Sequence, residues 1–581
     1  MIKTPIPMDV KPYTIKALLE NTVRRFPNQP SLGLYNQPPF TYSQLGEKVA
    51  ALSSLLKAQG VQKGDRVALL GENSPQWGIA YLAIVTMGAI VVPILPGFPA
   101  DDIQIILKHS EARILFVSHK QMEKVFLDKN KYLQRVVFLD DFTLEHSPLG
   151  RVVSLSRLLE EARHSASSLI HSFGEKTGLL HTASDVNEND PAAIIYTSGT
   201  LGLSKGVILT HKNLVTNTMA VTHFYGFDQN DRLLSLLPLS HAYETVIGFL
   251  CPLAKGSSVT YLGKVPSPQL LKEACASLRP TVMPMVPLLL EKLYKKKVLP
   301  LFTKNLIMKG ITSTSWGRRL VHRKAAAKIK EFFGGELISV VLGGAPLSRE
   351  VEEFMLEGNF PYSVGYGLTE TAPIVTGIGP GLTRLGSCGK ALFNVEIAIR
   401  NPDPLNGVGE IYVRGPNVMK GYFKNRELTE ETIDQEGWLR TGDRGFLDKD
   451  GYLFIRGRSK NLILTGNGEN VYPEVIEERL NAHPWVGESL VLSREGKIEA
   501  LVYLEAEKSE SLLAGCTENE LDKRIESLLE EIRHQVNRNL SASSAIRKLY
   551  YQSEPFEKTP TQKIKRYLYD HSLPTSGNEK R

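Results

Sequence analysis

Short runs of β-branched residues alternate along this chain with stretches of helical periodicity, and that alternation restricts the fold more than any other feature. Residues 66–70, 90–94, 114–117, 193–196 and 340–342 read as strands, whereas 42–58 and 100–109 carry the three- and four-residue apolar spacing of amphipathic helices. Strands alternating with helices build parallel sheets covered on both faces, so the expected class is α/β with several layers and mostly parallel sheets. At 581 residues the chain exceeds what one core can hold, and at least two domains are expected. No fixed-period repeat interrupts the pattern.

The texture changes near the C-terminal end. Residues 441–463, TGDRGFLDKDGYLFIRGRSKNLI, read as turn-rich, with short strands after them and a long helix from about Asn519 to Asn539. In that helix Leu521, Ile525, Leu528, Ile532 and Val536 form one apolar stripe, the core face expected of a small α+β domain. The final HSLPTSGNEKR is polar and reads as a frayed end.

One segment, residues 77–95, carries no charge and approaches the ~20 residues of a membrane span. Gly88 and Pro93 interrupt it, and a buried helix feeding a buried parallel strand is the preferred reading. Cys251, Cys275, Cys388 and Cys516 form no CxxC pair, which signals neither a zinc site nor a disulfide framework and suits a reducing compartment. The opening MIKTPIPMDVKPYTIK lacks the apolar core of a signal peptide, so a cytoplasmic protein is expected. The net charge of +7 suits a polyanion such as ATP, an acidic carrier protein or anionic headgroups. Nucleic acid is not expected, because no helix-turn-helix, RRM or zinc-finger pattern accompanies the charge. Two basic, partly aromatic stretches, 291–297 (EKLYKKK) and 316–324 (WGRRLVHRK), read as solvated charged faces. Peripheral contact with an anionic membrane, at its inner face, is the alternative.

Residues 196–206, YTSGTLGLSKG, follow an apolar strand. Glycines such as Gly199 let the backbone turn its N–H groups toward an anion, Thr197, Ser198 and Thr200 add hydroxyl donors, and Lys205 supplies charge. This is equipment for holding pyrophosphate. The pattern of a P-loop NTPase fails, since Lys205 is preceded by Ser204 and followed by Gly206. The segment resembles the signature loop YTSGTTGxPKG of the adenylate-forming superfamily, which includes acyl-CoA synthetases, coumarate ligases, firefly luciferase and peptide-synthetase adenylation domains. Leu201 stands where Thr is usual, and Ser204 where Pro is usual.

Further segments match the same superfamily in its order. The resemblance implies that 237–244 (LPLSHAYE) lines the acyl pocket, in the form most like medium- and long-chain fatty-acid enzymes, with His241 beside the acyl carboxyl. It implies that Gly343, Gly344 and Ala345 of 343–347 (GGAPL) contact adenine. In 365–371 (GYGLTET), Tyr366 and Gly367 would face the adenine, Thr369 the α-phosphate, and Glu370 would ligate Mg²⁺, with Thr197 as a second candidate ligand. Asp443 of 438–443 (WLRTGD) is expected on the ribose, Arg458 of 455–461 (IRGRSKN) near the same sugar, and Lys460 at a hinge. Gly468 of 465–477 (TGNGENVYPEVIE) would leave room for the pantetheine arm of coenzyme A. Lys563 of 557–566 (EKTPTQKIKR) aligns with the superfamily's catalytic lysine, although Gln562 replaces the usual Gly and Lys565 lies close by.

The resemblance therefore implies an adenylation domain over residues 1–456 that binds ATP and the acyl group, a hinge at 457–461, and a mobile C-terminal domain over 462–581 that carries Lys563. The expected reaction turns a fatty acid into an acyl-adenylate and then a coenzyme A thioester, with release of pyrophosphate and AMP. Three alternatives stand beside it: acyl carrier protein as the acceptor, an aryl or amino acid as the substrate, and a non-catalytic lipid- or nucleotide-binding relative. The LPLSHAYE and NGEN forms weigh against the second. Retention of Lys205, Glu370, Asp443, Arg458 and Lys563 weighs against the third.

Overall fold

A computed structural model describes residues 10–140, 143–146, 153–154, 186–197, 205–303, 310–464, 470–494, 497–505, 518–541, 544–559 and 563–569. The uncharged stretch shows how the interior is built. The Ser74 hydroxyl accepts from the Trp77 N–H at 3.1 Å and caps the helix Pro75–Thr86, whose residues other than Gln76 are buried. Gly88, with φ +86°, reverses the chain into the wholly buried strand Ile90–Ile94. Parallel neighbours flank that strand, Arg66–Leu70 on one side and Pro191–Thr197 on the other. Among the described residues no helix is long and apolar enough to cross a membrane.

The described strands form two large sheets. In the first, Pro191–Thr197, Ile90–Ile94, Arg66–Leu70, Ile114–Val117 and Arg135–Phe138 run parallel to one another, with Lys205–Thr210 antiparallel beside Pro191–Thr197 and Thr143–His146 antiparallel beside Arg135–Phe138. In the second, the strands from Leu32–Leu34 through Ser258–Tyr261, Arg232–Ser235, Val282–Met285 and Ser339–Leu342 to Tyr362–Gly367 are parallel. Two antiparallel strands, Ile374–Ile378 and Lys390–Ala391, finish it. The expected multi-layer α/β architecture with mostly parallel large sheets is what the chain adopts. A third sheet, of Glu396–Arg400, Gly409–Arg414, Leu439–Leu447 and Leu453–Arg458, is wholly antiparallel.

That third sheet corrects the turn-rich reading of 441–463, most of which is two paired strands. Gly445 explains the misreading: a Cβ there would lie 2.2 Å from the Phe454 carbonyl oxygen, so glycine serves close strand approach. Beyond residue 462 the chain has cores of its own, under the strands Val486–Arg494, Lys497–Leu504 and Ile546–Gln552 and the helices Pro473–Ala482 and Glu518–Asn537. In the last helix Ile525, Leu529, Ile532 and Val536 are buried and Leu528 only partly so, which moves the predicted stripe by one residue at its middle.

Candidate active site

Thr197 and Lys205 face each other as the last cross-strand pair of their hairpin. Ser198, Gly199, Thr200, Leu201 and Ser204 lie outside the described residues, as does Gly468. Next to Thr197, the Tyr196 hydroxyl meets His109 Nδ1 at 2.8 Å. The short strand Gly421–Tyr422 pairs with Val207 and Ile208 of the same hairpin. It presents the Tyr422 ring to the Lys205 ammonium, 5.4 Å from the ring centroid, and the Tyr422 hydroxyl to Glu370 Oε1 at 2.9 Å. Tyr422 thus joins the phosphate-loop cation to the candidate metal carboxylate. Sequence reasoning missed it; the signal was the KGYF turn at 420–423, a glycine before a buried aromatic.

Glu370 sits in a 3₁₀ turn, Thr369–Thr371, at the end of the strand Tyr362–Gly367. The Tyr366 hydroxyl donates to Asp443 Oδ2 at 2.7 Å, and Arg458 Nε pairs with Asp443 Oδ1 at 3.0 Å. Asp443 is 4% exposed and each of its oxygens already has a partner, leaving further lone pairs for a sugar hydroxyl. Gly343, Gly344 and Ala345 follow the parallel strand Ser339–Leu342. A Cβ on Gly343 would lie 2.9 Å from the Tyr243 ring, whereas Gly344, at φ +82°, meets nothing within 4 Å and leaves a flat, open edge.

His241 caps the turn that follows it, its Nδ1 accepting from the Tyr243 N–H at 3.2 Å. That bond assigns the ring proton to Nε2. Burial, helped by the Lys563 charge, pushes His241 down to about 4, so the ring is a neutral donor at physiological pH. Asn73 staples the same segment, donating to the Leu237 carbonyl at 2.6 Å and accepting from the Leu239 N–H at 2.8 Å. After His241 the residues Ala242–Leu250 are all buried. They include Glu244, which burial raises to about 8 and therefore leaves uncharged.

Lys563 comes from the far end of the chain. Its side chain is open to water on one side. Desolvation and the Arg458 guanidinium lower its pKa, while Asp443 and Glu370 draw it back up. Lys565 turns elsewhere and pairs with Glu557 at 3.2 Å. Lys460, on the turn Ser459–Asn461, has its pKa lowered by burial and then by Arg458, Lys205, Arg566 and Lys563. Cations drawn from three separate stretches of chain, Lys205, Arg458 with Lys460, and Lys563 with Arg566, therefore repel one another, an arrangement that a polyanion relieves. Glu370 fits Mg²⁺ in the manner usual for that ion, which takes one or two carboxylates together with substrate phosphates. No cluster of three or more His, Cys, Asp or Glu side chains able to hold a metal occurs among the described residues.

Residues 19–423 match the family model described as AMP-binding enzyme. The chain belongs to that family. A 4-coumarate–CoA ligase-like protein of Arabidopsis thaliana is 32% identical to this AMP-binding enzyme over 78% of the chain and 74% of the relative. A long-chain-fatty-acid–CoA ligase of Mycobacterium bovis is 29% identical over 90% of the chain and 89% of the relative. An anthranilate CoA ligase bound to anthranoyl-AMP superposes with a TM-score of 0.75 at 21% identity, covering 98% of both chains, and shares the fold. Within the family this AMP-binding enzyme is an adenylate-forming acid–CoA ligase.

Proposed function

We propose that the chain activates a fatty acid of long chain in two half-reactions. The observation that carries this reading is the convergence of Lys205, Arg458, Lys460 and Lys563 around Glu370, with a neutral His241 at the edge of a buried, uncharged segment. A carboxylate is a poor acyl donor, because its leaving group would be oxide. In the first half-reaction its oxygen attacks the α-phosphorus of ATP, forming a C–O–P bond while the bond from that phosphorus to pyrophosphate breaks. Catalysis of this kind is positioning and charge neutralisation.

Thr197, Ser198, Gly199, Thr200 and Lys205 hold the β- and γ-phosphates in this proposal. Thr369 holds the α-phosphate, Asp443 and Arg458 the ribose, and Gly343 to Ala345 with Tyr366 and Gly367 the adenine. Glu370, with Thr197, would ligate Mg²⁺, which supplies neutralisation of charge on the departing pyrophosphate. Lys563 stabilises the oxygens around the forming bond, and His241 Nε2–H donates to the acyl carboxyl. In the second half-reaction the coenzyme A thiolate attacks the acyl carbonyl and expels AMP.

The two steps want different surroundings, so the unit over 462–581 turns about 457–461 relative to 1–456, removing Lys563 and bringing Gly468 to the thiol path. A fatty acid is favoured by the LPLSHAYE segment, by the uncharged burial of Ala242–Leu250, and by the long-chain relative's span of 90% of the chain. An aryl acid is the second reading, favoured by the coumarate ligase-like relative. Exchange of labelled pyrophosphate into ATP, across fatty acids of graded length and 4-coumarate, separates them. Thioester formation is then followed with coenzyme A or acyl carrier protein as acceptor. Exchange confined to fatty acids supports the reading, and exchange with the aryl acid alone refutes it.

A further inference from the structure

The helix Ser315–Phe332 carries two opposed faces. Its inner face, Gly317, Val321, His322, Ala325, Ala326 and Ile329, is buried. The outer face holds Trp316, 76% exposed, and Leu320, 39% exposed, one turn further on. Arg319 and Arg323 flank this apolar pair on one side and Lys324 and Lys328 on the other, all exposed. Glu331 is the helix's one carboxylate. Among the described residues none of those four cations pairs with a carboxylate, whereas neighbouring Arg318 is tied to Glu357 at 2.6 Å.

The turn before the helix adds to the apolar side. A Cβ on Gly317 would lie 2.0 Å from the Ile311 carbonyl oxygen, so glycine there lets that turn, with Ile311 40% exposed, lie against the helix start. The adjacent π-helical turn Tyr294–Val298 packs its Tyr294 and Val298 into the cluster that buries Ala325 and Ile329, while Lys296 and Lys297 stay exposed. A face that only dissolved in water would gain nothing from an indole so exposed. A nucleic-acid face would want the cations without the Ile–Trp–Leu ridge. Apolar and aromatic side chains bracketed by Lys and Arg on one helix face are the pattern that rests in a lipid headgroup layer.

We propose that this face is a docking surface for an anionic phospholipid membrane. It goes beyond the activation chemistry and does not depend on it. The test is co-sedimentation of the full chain with vesicles of phosphatidylcholine alone or mixed with phosphatidylglycerol. Binding is expected to the anionic vesicles, falling as salt is added. Each cation near such a surface is worth about fivefold in partitioning, so Arg319→Gln/Arg323→Gln/Lys324→Gln/Lys328→Gln lowers binding by two to three orders of magnitude. Trp316→Ala, at an exposed position with no fold to endanger, lowers it about tenfold, the worth of burying half an indole. Both variants keep their melting temperature and their pyrophosphate exchange with a short, water-soluble acid. The proposal falls if the wild type ignores anionic vesicles, or if the fourfold variant binds them as well as wild type. It also falls if heparin displaces the protein while Trp316→Ala changes nothing, which would mark a general polyanion patch.

Discussion

The phenol of Tyr422 donates to Glu370 Oε1 at 2.9 Å, and the two residues are 52 positions apart in the chain. The same ring lies under the Lys205 ammonium, so one side chain contacts both the cation proposed for phosphate and the carboxylate proposed for Mg²⁺. Tyr422→Phe keeps the ring and removes one hydrogen bond to a charged group, worth about 1.5–3 kcal/mol. The expected result is a rise of about tenfold in KM for Mg·ATP and in the Mg²⁺ needed for half-maximal rate, with kcat little changed. Calorimetric titration with Mg·ATP checks the same shift without turnover. Equal affinities in the two proteins would show that Glu370 does not rely on the phenol.

Lys563→Ala is expected to slow adenylate formation by about three orders of magnitude, while a preformed acyl-adenylate still yields thioester at the wild-type rate. The pH dependence gives a second check. The Lys563 pKa is lowered, chiefly by desolvation and Arg458. The charged form is therefore lost below the ordinary lysine range, and the basic limb of kcat/KM for pyrophosphate exchange falls early. Lys563→Arg keeps its charge throughout and moves that limb upward. A limb that stays in place in the arginine variant would exclude Lys563 as its source.

Asp443→Asn keeps an acceptor for the Tyr366 hydroxyl but leaves Arg458 without its ion partner. Breaking a fully buried pair costs about 3–5 kcal/mol, and the 38% exposure of the Arg458 side chain screens part of that. The expected loss is therefore about 2 kcal/mol, read as a rise of about thirtyfold in KM for ATP. The KM for the acid should not move. A matching rise for both substrates would mean general disorder of the cleft and not a lost ribose contact.

Much of this site was legible because its parts lie on loops that follow parallel strands, where apolar runs end abruptly in glycine and hydroxyl residues. The strands Pro191–Thr197 and Ser339–Leu342 end in that way in the sequence, and they fall within a few residues of the expected bounds. Contacts between distant stretches were not legible. Nothing in a linear reading sets Tyr422 against Glu370, Asn73 against Leu237, or Lys295 against the C-terminal unit. Residues 441–458 misled for a different reason: Gly442, at φ +73°, and Gly445 look like turn formers but serve a bulge and a tight strand contact.

Glu244 makes stability depend on pH with a definite sign. It is fully buried, accepts from the Ser235 hydroxyl at 2.6 Å, and is raised by burial to about 8. Below the ordinary carboxyl range both folded and unfolded chains are protonated there, and nothing is lost. As pH rises the unfolded chain ionises first, so Glu244 removes about 1.4 kcal/mol of stability per pH unit until about 8. Glu244→Gln keeps the acceptor for Ser235 and cannot ionise. Its melting temperature should match wild type at pH 4 and exceed it increasingly up to pH 8. Parallel curves for the two proteins would place the titration elsewhere.

Lys295 belongs to one of the two basic stretches, yet its ammonium turns inward. It donates to the Asn481 carbonyl at 2.8 Å and the Val486 carbonyl at 3.2 Å, both in the C-terminal unit, beside a second contact from the Arg349 N–H to Glu478 Oε1 at 3.1 Å. The carboxylates around it, Glu291 and Glu350, are raised by burial and held down by this lysine. The contact exists in the arrangement that also sets Lys563 near Asp443 and Glu370, so the proposed rotation that withdraws Lys563 would break it. Lys295→Ala should therefore weaken the adenylating arrangement by about 1 kcal/mol, since the lysine is only half-buried. Pyrophosphate exchange is expected to fall about fivefold, while thioester formation from a preformed adenylate is unchanged or faster. If both half-reactions fell together, the lysine would be supporting the fold and not choosing between two positions of the small domain.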